Sequence, residues 1–278
     1  MNPVDFTVLM AVYGGDDPSL FERAVASVVH NTLKPDDFVL VVDGPVPVAI
    51  ESQVRRLEEN GAVRVSRLHE NRGLAHALNT GLGLVRTEWV FRADADDVNR
   101  LDRFERQADV IRRRGTDVDV FGGAIVEVDR DGVALALRTV PLDHQGIVRR
   151  LKYRSPFNHM TVAFRTKLVL DVGGYPDIRL KEDYALWAQL IAADARCFNL
   201  DDVLVHATAG REMYRRRGGV RYAHSEWRLQ ALFVQLGVQN SAVALAVGAL
   251  RACAALAPSW VRRWVYERHL RKRPHGRL

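Results

Sequence analysis

The sequence predicts an α/β fold with a mostly parallel central sheet, helices on both faces and a helical C-terminal extension. Short apolar runs alternate with segments of helical periodicity over about the first 100 residues, a rhythm that is typical of βαβ units. Most of these apolar runs end in glycine or aspartate, and the last sixty residues have a helical composition. A chain of 278 residues with 47% hydrophobic content is large enough to bury a core.

The first half of the chain alternates strand signals with helical segments. Strands are predicted at residues 6–13, 38–43, 63–68 and 88–94, and helices at residues 17–31, 48–60 and 74–85. Asp17 supplies an N-cap and Pro18 a first-turn proline for the first helix. Ligands of such sheets bind outside the carboxyl ends of the strands. Asp43 and the run from Asp94 to Asp97 follow two of the strands, so we expect them at one edge of the sheet.

The second half of the chain has a mixed pattern. Residues 118–138 read as two strands around the turn Asp129-Arg-Asp-Gly, which favours a hairpin over a crossover. The loop SPFNHM, the strand TVAFR and a helix that carries KEDYALWAQL follow in that order. This half therefore departs from the regular alternation of strands and helices in the first half.

Composition limits the compartment and the partners. Cys197 and Cys253 fit neither a disulfide framework nor a zinc site, and the N-terminus has no signal-peptide pattern, so a cytoplasmic location is expected. The net charge of +6 and the pI of about 9.6 favour acidic partners. Nucleic acid is not expected among them, because the basic residues do not form a recognisable nucleic-acid-binding module.

The C-terminal region joins an apolar segment to a basic one. Residues 241–260 are alanine-rich and contain Arg251 and Pro258, whereas a membrane span needs about 20 strongly apolar residues. A buried or partner-packed helix is therefore expected there. The tail that follows combines Trp260 and Trp264 with many arginines, which predicts contact with an anionic membrane surface, with a solvated basic tail as the alternative.

Three aspartates follow the fourth strand signal, in the stretch FRADADDVNR. Clustered carboxylates repel one another unless they are solvated, share protons or bind a cation, and Mg²⁺ and Mn²⁺ take such oxygen ligands. Because side chains alternate along a strand, Asp94 and Asp96 face the same side. One alternative is an aspartate-rich turn that caps a helix beginning near Asn99. Another is a haloacid-dehalogenase-like phosphatase with Asp94 as its nucleophile.

Eight stretches of the chain carry a resemblance to a known family. In order they are VLMAVYGGD, VVDGP, NRGLAHALNTGL, FRADADD, SPFNHMTVAFR, GGYPD, KEDYALW and MYRRRGG. Together they resemble the family 2 inverting glycosyltransferases of the GT-A fold, especially bacterial enzymes of the amylovoran-biosynthesis type that build exopolysaccharide and O-antigen units. The resemblance implies a Rossmann-like nucleotide-sugar-binding half at residues 1–115 and an acceptor-binding half of the same domain at 116–222. Composition predicts a helical basic C-terminal extension at 223–278.

The resemblance also implies a donor site made of particular residues. The nucleotide-sugar contacts would be Ala11, Val12, Tyr13, Asp43, Arg72, Asp94, Arg215, Arg216 and Arg217. The backbone of the first three would lie along a uracil, Asp43 would meet the base or ribose, and Asp94 would contact the ribose or donor sugar. Asp96 would ligate Mn²⁺ or Mg²⁺ on the diphosphate, with Asp97 assisting or orienting its neighbours. The three arginines suit a loop over the diphosphate, although a solvated charge run is their usual alternative.

On the acceptor side, the resemblance aligns KEDYALW with the Glu-Asp motif of the family. Asp183 would then be the general base, with Glu182 as its acceptor-side or metal-side partner; acidic residues favoured in a first helical turn are the structural alternative. Asn158 and His159 are possible contacts of the donor sugar or the acceptor. Trp187, one helical turn beyond Asp183, either stacks on a sugar ring or packs in the core.

The function that the resemblance implies is metal-dependent, inverting transfer of one sugar. The donor would be a UDP-sugar, with galactose favoured, and the acceptor a lipid-linked glycan at the inner membrane face. The processive-enzyme pattern Gln-x-x-Arg-Trp does not follow Glu182 and Asp183, which favours single transfer over polymer synthesis. The phosphatase and a catalytically inactive relative that only binds nucleotide sugars remain as alternatives.

Overall fold

A computed structural model describes residues 4–209 and 219–256. The strands are β1 Phe6–Tyr13, β2 Asp37–Asp43, β3 Arg64–Arg67, β4 Trp89–Arg92, β5 Val98–Asn99, β6 Val120–Val128, β7 Ala134–Arg138, β8 Ala163–Arg165 and β9 Cys197–Thr208. The helices are α1 Pro18–Val29, α2 Val48–Glu59, α3 Leu74–Leu82, α4 Arg103–Arg114, α5 His144–Leu151, α6 Thr166–Asp171, α7 Glu182–Ala192, α8 Val220–Gln235 and α9 Ser241–Leu256. The α/β class and the helical C-terminal region expected from the sequence are confirmed.

All described strands join one sheet in the order β3-β2-β1-β4-β8-β6-β9-β5, with β7 paired to β6. In the first half, β1 pairs in parallel with β2 and β4, and β2 with β3. In the second half, β8 runs antiparallel to β4 and β6, and only the β6–β9 pairing is parallel. The parallel pattern predicted for the first half is thus present. The whole sheet is mixed because β8 and β5 run antiparallel to their neighbours and β7 returns on β6 as a hairpin.

Both faces of the sheet are covered, because alternate residues of the central strands enter two different cores. Leu9 and Val41 face α3, α7 and α8, whereas Met10 and Val42 face α1, α2 and α4. Each fully buried aliphatic side chain of this kind contributes roughly 2 kcal/mol. At Gly81 of α3 an added Cβ would lie 2.4 Å from a methyl of Leu9, so the glycine permits the close packing of this helix on the sheet.

The segment after the aspartates differs from the prediction of a helix near Asn99. Val98 and Asn99 form β5, which pairs antiparallel with His206 and Val205 of β9, and α4 begins only at Arg103. The aspartates therefore connect two strands rather than cap a helix. Strand β9 itself was not predicted, because Asp201 and Asp202 interrupt its apolar alternation.

The C-terminal helices pack against each other and against α7. Helix α8 begins at Val220, so it crosses the predicted boundary between residues 222 and 223. Ala252 and Ala255 of α9 are buried against α8, whereas Leu245 and Leu250 are exposed. Within the described ranges no helix combines the length and apolar character needed to cross a membrane. The basic aromatic tail lies outside the described residues.

Candidate functional site

The carboxyl ends of β1, β2 and β4 form one side of a cleft of about 520 Å³. Tyr13 at the end of β1 is in register with Asp43 at the end of β2, and Arg92 ends β4 on the other side of β1. Of the predicted site residues, the cleft is lined by Ala11, Val12, Tyr13, Asp43, Arg72, Asp94, Asp96 and Glu182. Residues from five separate stretches of sequence therefore meet at one edge of the sheet, where such folds bind ligands.

The turn after β1 holds the Tyr13 ring beside the cleft. The carboxylate of Asp16 accepts a hydrogen bond from the Tyr13 backbone N–H at 2.9 Å, and the Asp16 N–H donates to the Tyr13 carbonyl at 3.1 Å. A Cβ at Gly15 would lie 2.6 Å from the Tyr13 ring. Glycine at this position therefore lets the ring fold back over the turn.

The Asp43 side chain is buried and fixes the loop before α3. Its two oxygens accept hydrogen bonds from the backbone N–H groups of Arg72 at 2.8 Å and Gly73 at 3.0 Å. The amide of Asn71 donates to the Asp43 carbonyl at 3.2 Å. Asp43 thus shapes the cleft wall through the backbone of this loop, while the Arg72 side chain remains exposed at the cleft.

Asp94, Asp96 and Asp97 bring their carboxylate oxygens within 4.8 Å of one another. Asp97 points inward, where it accepts the Thr208 N–H at 2.8 Å, and the Thr208 hydroxyl donates to the Asp96 carbonyl at 2.6 Å. Burial, followed by the charges of Asp96 and Asp94, raises the pKa of Asp97 well above its ordinary value. Three hard oxygen donors this close together fit Mn²⁺ or Mg²⁺, with Asp94 and Asp96 on the cleft side.

A buried arginine that the sequence analysis missed holds Asp94 from behind. Arg92 Nη2 lies 2.6 Å from Asp94 Oδ1, and Arg92 Nη1 donates to the Leu9 carbonyl at 3.1 Å. Arg103 is also buried and donates to the Arg92 carbonyl at 2.7 Å. Burial and the nearby charge of Arg92 lower the pKa of Arg103 to about 9. The two arginines place positive charge directly behind the aspartates and limit the movement of Asp94.

A second cleft, of about 370 Å³, adjoins the first. Both clefts are lined by Asp16, Asp94, Asp96, Leu180 and Glu182. Asp183, His159 and Tyr222 line only the second one of the two. The aspartate cluster therefore lies between two spaces, one at the strand ends and one beside the first turn of α7.

Glu182 and Asp183 open helix α7, and their environments differ. Glu182 is only 8% exposed, and its Oε2 has no hydrogen-bond partner among the described residues. Burial, with a further contribution from Asp183, raises the pKa of Glu182 to about 7. Asp183 lines the second cleft and lies in the first helical turn, where the helix dipole favours a carboxylate. Near neutral pH Glu182 is therefore partly protonated.

Leu180 stands where the two clefts meet. It lines both clefts and has a φ of 64°, in the left-handed region that non-glycine residues rarely adopt. Such a conformation costs about 1 kcal/mol or more and persists only where the surroundings enforce it. The strain lies two residues before Glu182, at the entrance to α7.

The three predicted sugar-contacting residues have different surroundings. The Trp187 side chain is fully buried, with its ring edge-on to Phe157 at 5.2 Å and to His159 at 6.1 Å. Its predicted stacking on a sugar is therefore not supported, and core packing is the role observed. Asn158 is also buried and donates to the Gly123 carbonyl at 2.9 Å. It lines neither of these two clefts, and its side-chain amide instead holds the loop against β6.

His159 does reach the second cleft. Its Nε2 lies 3.1 Å from the Tyr175 hydroxyl, and burial, followed by the charge of Arg92, lowers the pKa of His159. The ring is therefore neutral near pH 7, with one nitrogen able to accept a hydrogen bond.

The predicted arginines Arg215, Arg216 and Arg217 lie outside the described residues. The first cleft has another cation that the sequence analysis did not select, Arg179, together with Asp177. Arg179 could have been selected from the sequence, because it is a basic residue between the GGYPD and KEDYALW stretches.

Comparison with known proteins agrees with this geometry. The family described as "Glycosyl transferase family 2" matches residues 7–173. An uncharacterized glycosyltransferase of Haemophilus influenzae is 40% identical over 96% of this chain and 99% of its own length. The UDP-Gal:alpha-D-GlcNAc-diphosphoundecaprenol beta-1,3-galactosyltransferase of Escherichia coli is 34% identical over 96% of this chain and 97% of its own. The amylovoran biosynthesis glycosyltransferase AmsE of Erwinia amylovora is 32% identical over 95% and 98%.

Solved structures show the same fold at low sequence identity. S. aureus TarS 1-349 in complex with UDP-GlcNAc has a TM-score of 0.69 at 18% identity, covering 96% of this chain and 76% of that one. The mannosyltransferase PcManGT of Pyrobaculum calidifontis, in complex with GDP-Man and Mn2+, has a TM-score of 0.61 at 20% identity, with 94% and 79% covered. The GT-A fold expected from the sequence is confirmed, and the phosphatase alternative is set aside. The chain belongs to glycosyl transferase family 2 and is a glycosyltransferase.

Proposed function

We propose that this glycosyltransferase moves one sugar, with galactose the first candidate, from a UDP-sugar to a lipid-linked glycan with inversion at the anomeric carbon. One observation carries the proposal: the aspartate cluster lies between two adjoining clefts, with Asp183 lining the second. A donor in the first cleft and an acceptor in the second would meet beside Asp94 and Asp96. The relative that uses UDP-Gal and a diphosphoundecaprenol-linked acceptor supports the choice of substrates.

In the first cleft, the strand ends and the loop fixed by Asp43 would bind the nucleoside. The backbone near Ala11 and Tyr13 lines this cleft and would lie along the base, and Asp94, held by Arg92 at 2.6 Å, would contact the ribose or the donor sugar. Asp96, with Asp94 beside it, would hold Mn²⁺ or Mg²⁺, whose chemistry when bound is to neutralise the charge on the departing diphosphate. Preorganised positive charge of this kind stabilises the negative charge that develops on the leaving group in the transition state.

In the second cleft, Asp183 would remove the proton from the attacking hydroxyl. A positioned base of this type contributes about 10²- to 10⁴-fold in rate. Glu182, with its pKa raised to about 7, would be partly protonated at neutral pH and would donate a hydrogen bond to the acceptor or to a diphosphate oxygen. The neutral His159 would accept a hydrogen bond from a sugar hydroxyl at the same cleft.

The decisive experiment is a transfer assay with a short lipid-linked GlcNAc diphosphate and a panel of UDP-sugars. We expect transfer from one UDP-hexose, with inversion visible in the anomeric coupling of the product, and a fall of about 100-fold or more for Asp183→Asn. Asp171→Asn is the matched control, because Asp171 is exposed and pairs with Lys167 in α6. Transfer that is unchanged in Asp183→Asn would contradict the role of Asp183 as the base, and a wild-type protein that binds UDP but transfers no sugar would favour the inactive-relative alternative.

The lipid-linked acceptor would bring the protein to the inner membrane face as a peripheral protein. The sequence of residues 257–278 is rich in arginine and tryptophan, and the preceding α9 exposes Leu245 and Leu250. These features suit an anionic lipid surface. The proposal predicts that Trp264→Ala with Arg262→Glu weakens sedimentation with phosphatidylglycerol vesicles more than it weakens turnover of a soluble acceptor analogue. Equal sedimentation of the variant and the wild type would contradict it.

A further inference from the structure

A buried charge cluster joins the start of α7 to the two C-terminal helices. Lys181 directly precedes Glu182, and its Nζ lies 2.9 Å from Glu226 Oε2 of α8, with side chains 9% and 0% exposed. Arg251 of α9 approaches the other Glu226 oxygen at 2.7 Å. One carboxylate of α8 therefore binds two cations, one from the helix that carries the Glu-Asp pair and one from α9.

The cluster is built as a charged network. Gln230 also donates to Glu226 Oε1, at 2.8 Å. Burial alone would raise the pKa of Glu226, but the cations of Lys181 and Arg251 outweigh burial and lower it. Glu226 is therefore a carboxylate at neutral pH. Removal of Glu226 would leave two cations without their counter-charge, whereas removal of either cation would leave the carboxylate with a single partner.

Helix α8 also supplies a wall of the second cleft. Tyr222 lies one helical turn before Glu226 and lines that cleft together with Asp183. Its hydroxyl accepts a hydrogen bond from Lys181 Nζ at 2.7 Å, and the same Nζ lies 4.3 Å from the centre of the Tyr222 ring. The ammonium group thus ties Tyr222 to the residue directly before α7.

The cluster constrains the backbone on which Glu182 and Asp183 stand. The Lys181 carbonyl accepts the N–H of Ala185 at 2.8 Å, so Lys181 is the N-cap residue of α7. Its side chain is fixed by two partners on α8, immediately after the strained Leu180. Helix α9 in turn packs closely on α8, since a Cβ at Gly248 would lie 2.7 Å from the Trp227 ring. Helices α8 and α9 therefore fix the strained backbone at Leu180, directly before Lys181 and α7.

We propose that α8 and α9 complete the acceptor side of the site, with Tyr222 contacting the acceptor and Lys181, Glu226 and Arg251 acting as positioning residues for the first turn of α7. The inference rests on the proposed function and extends it to a part of the chain beyond the family match at residues 7–173. The helical extension is then part of the site rather than an appendage.

Two variants test the inference in the full-length protein with Mn²⁺. Tyr222→Phe keeps the ring and removes the hydroxyl, and it should raise the acceptor KM about tenfold, the value of one hydrogen bond to a charged or polar partner. Lys181→Met keeps the length of the side chain without its charge and should lower kcat about tenfold or more with the donor KM unchanged. Both should bind UDP within about twofold of wild type. Arg228→Met is the control on the same helix, because Arg228 is exposed and lines neither of the two clefts.

The outcomes separate the inference from the proposed function. Wild-type protein that neither binds UDP nor transfers sugar would remove the proposed function itself. Active wild type with unchanged acceptor kinetics in Tyr222→Phe would overturn the acceptor contact. If Lys181→Met loses UDP binding together with transfer, the cluster serves general folding and the positioning role is overturned. An unchanged kcat in that variant would also overturn the positioning role.

Discussion

Replacing Glu182 by glutamine should stabilise the protein above neutral pH and leave it nearly unchanged in mild acid. Glu182 is 8% exposed, and its Oε2 finds no hydrogen-bond donor among the described residues. Burial, with Asp183 nearby, raises the pKa of Glu182 from 4.5 to about 7. Glutamine keeps the shape of the protonated acid and cannot acquire the charge that the site disfavours.

The size of the effect follows from proton linkage. Between 4.5 and about 7 the folded protein binds more protons at Glu182 than the unfolded chain does, so the free energy of unfolding falls as pH rises through this window. The full difference between the two pKa values corresponds to roughly 3 kcal/mol in the free energy of unfolding. The stabilisation by Glu182→Gln should therefore be small at about pH 5 and reach roughly 2 to 3 kcal/mol at about pH 8.5.

Urea denaturation of both proteins at the two pH values, with a chelator to exclude metal, measures this difference directly. Other groups also titrate, so the quantity to compare is the change in free energy of unfolding caused by the substitution at each pH. The reasoning is refuted if that change is the same in acid and in base.

Three further substitutions test the donor side. Asp43→Asn should lower the free energy of unfolding by about 2 kcal/mol, because a charged acceptor of two backbone N–H groups is lost; an unchanged urea midpoint would contradict this role. Gly44→Ala should cost at least about 1 kcal/mol in the same measurement, since Gly44 has a φ of 79° and its Cβ would lie 2.4 Å from the Asn71 nitrogen. Arg92→Met should lower the free energy of unfolding by about 3 kcal/mol, because it leaves Asp94 unpaired, and it should slow UDP-sugar turnover. Turnover at the wild-type rate in this variant would show that Asp94 needs no support from Arg92.

The parallel half of the fold could be predicted from the sequence because its signals are local. Strands β1, β2 and β4 are short apolar runs, and the aspartates at the end of β2 and after β4 mark the ligand edge by their position alone. Strand β9 escaped prediction because its pairing with β6 and β5 is long-range, while Asp201 and Asp202 obscure its alternation. The helix expected near Asn99 gave way to β5 for the same reason: the strand exists only because β9 pairs with it.

The sequence predicted those residues of the candidate site that lie within recognisable motifs. Sequence alone could not reveal that Trp187 packs in the core, because helical spacing from Asp183 fixes a face of α7 but not its neighbours. The support of Asp94 by Arg92 and of Lys181 by Glu226 depends on burial and on contacts between distant parts of the chain. Such contacts leave no periodic pattern in the sequence.

The central claim is that the aspartates after β4 form a metal-dependent diphosphate site. Titration of the purified protein with UDP, with and without Mn²⁺, beside Asp96→Ala and the exposed control Asp171→Ala, tests it most directly. We expect Mn²⁺ to tighten UDP binding in the wild type and in Asp171→Ala, and we expect Asp96→Ala to lose this gain. UDP binding that is equal with and without Mn²⁺ in the wild type, or a gain that survives in Asp96→Ala, would contradict the claim.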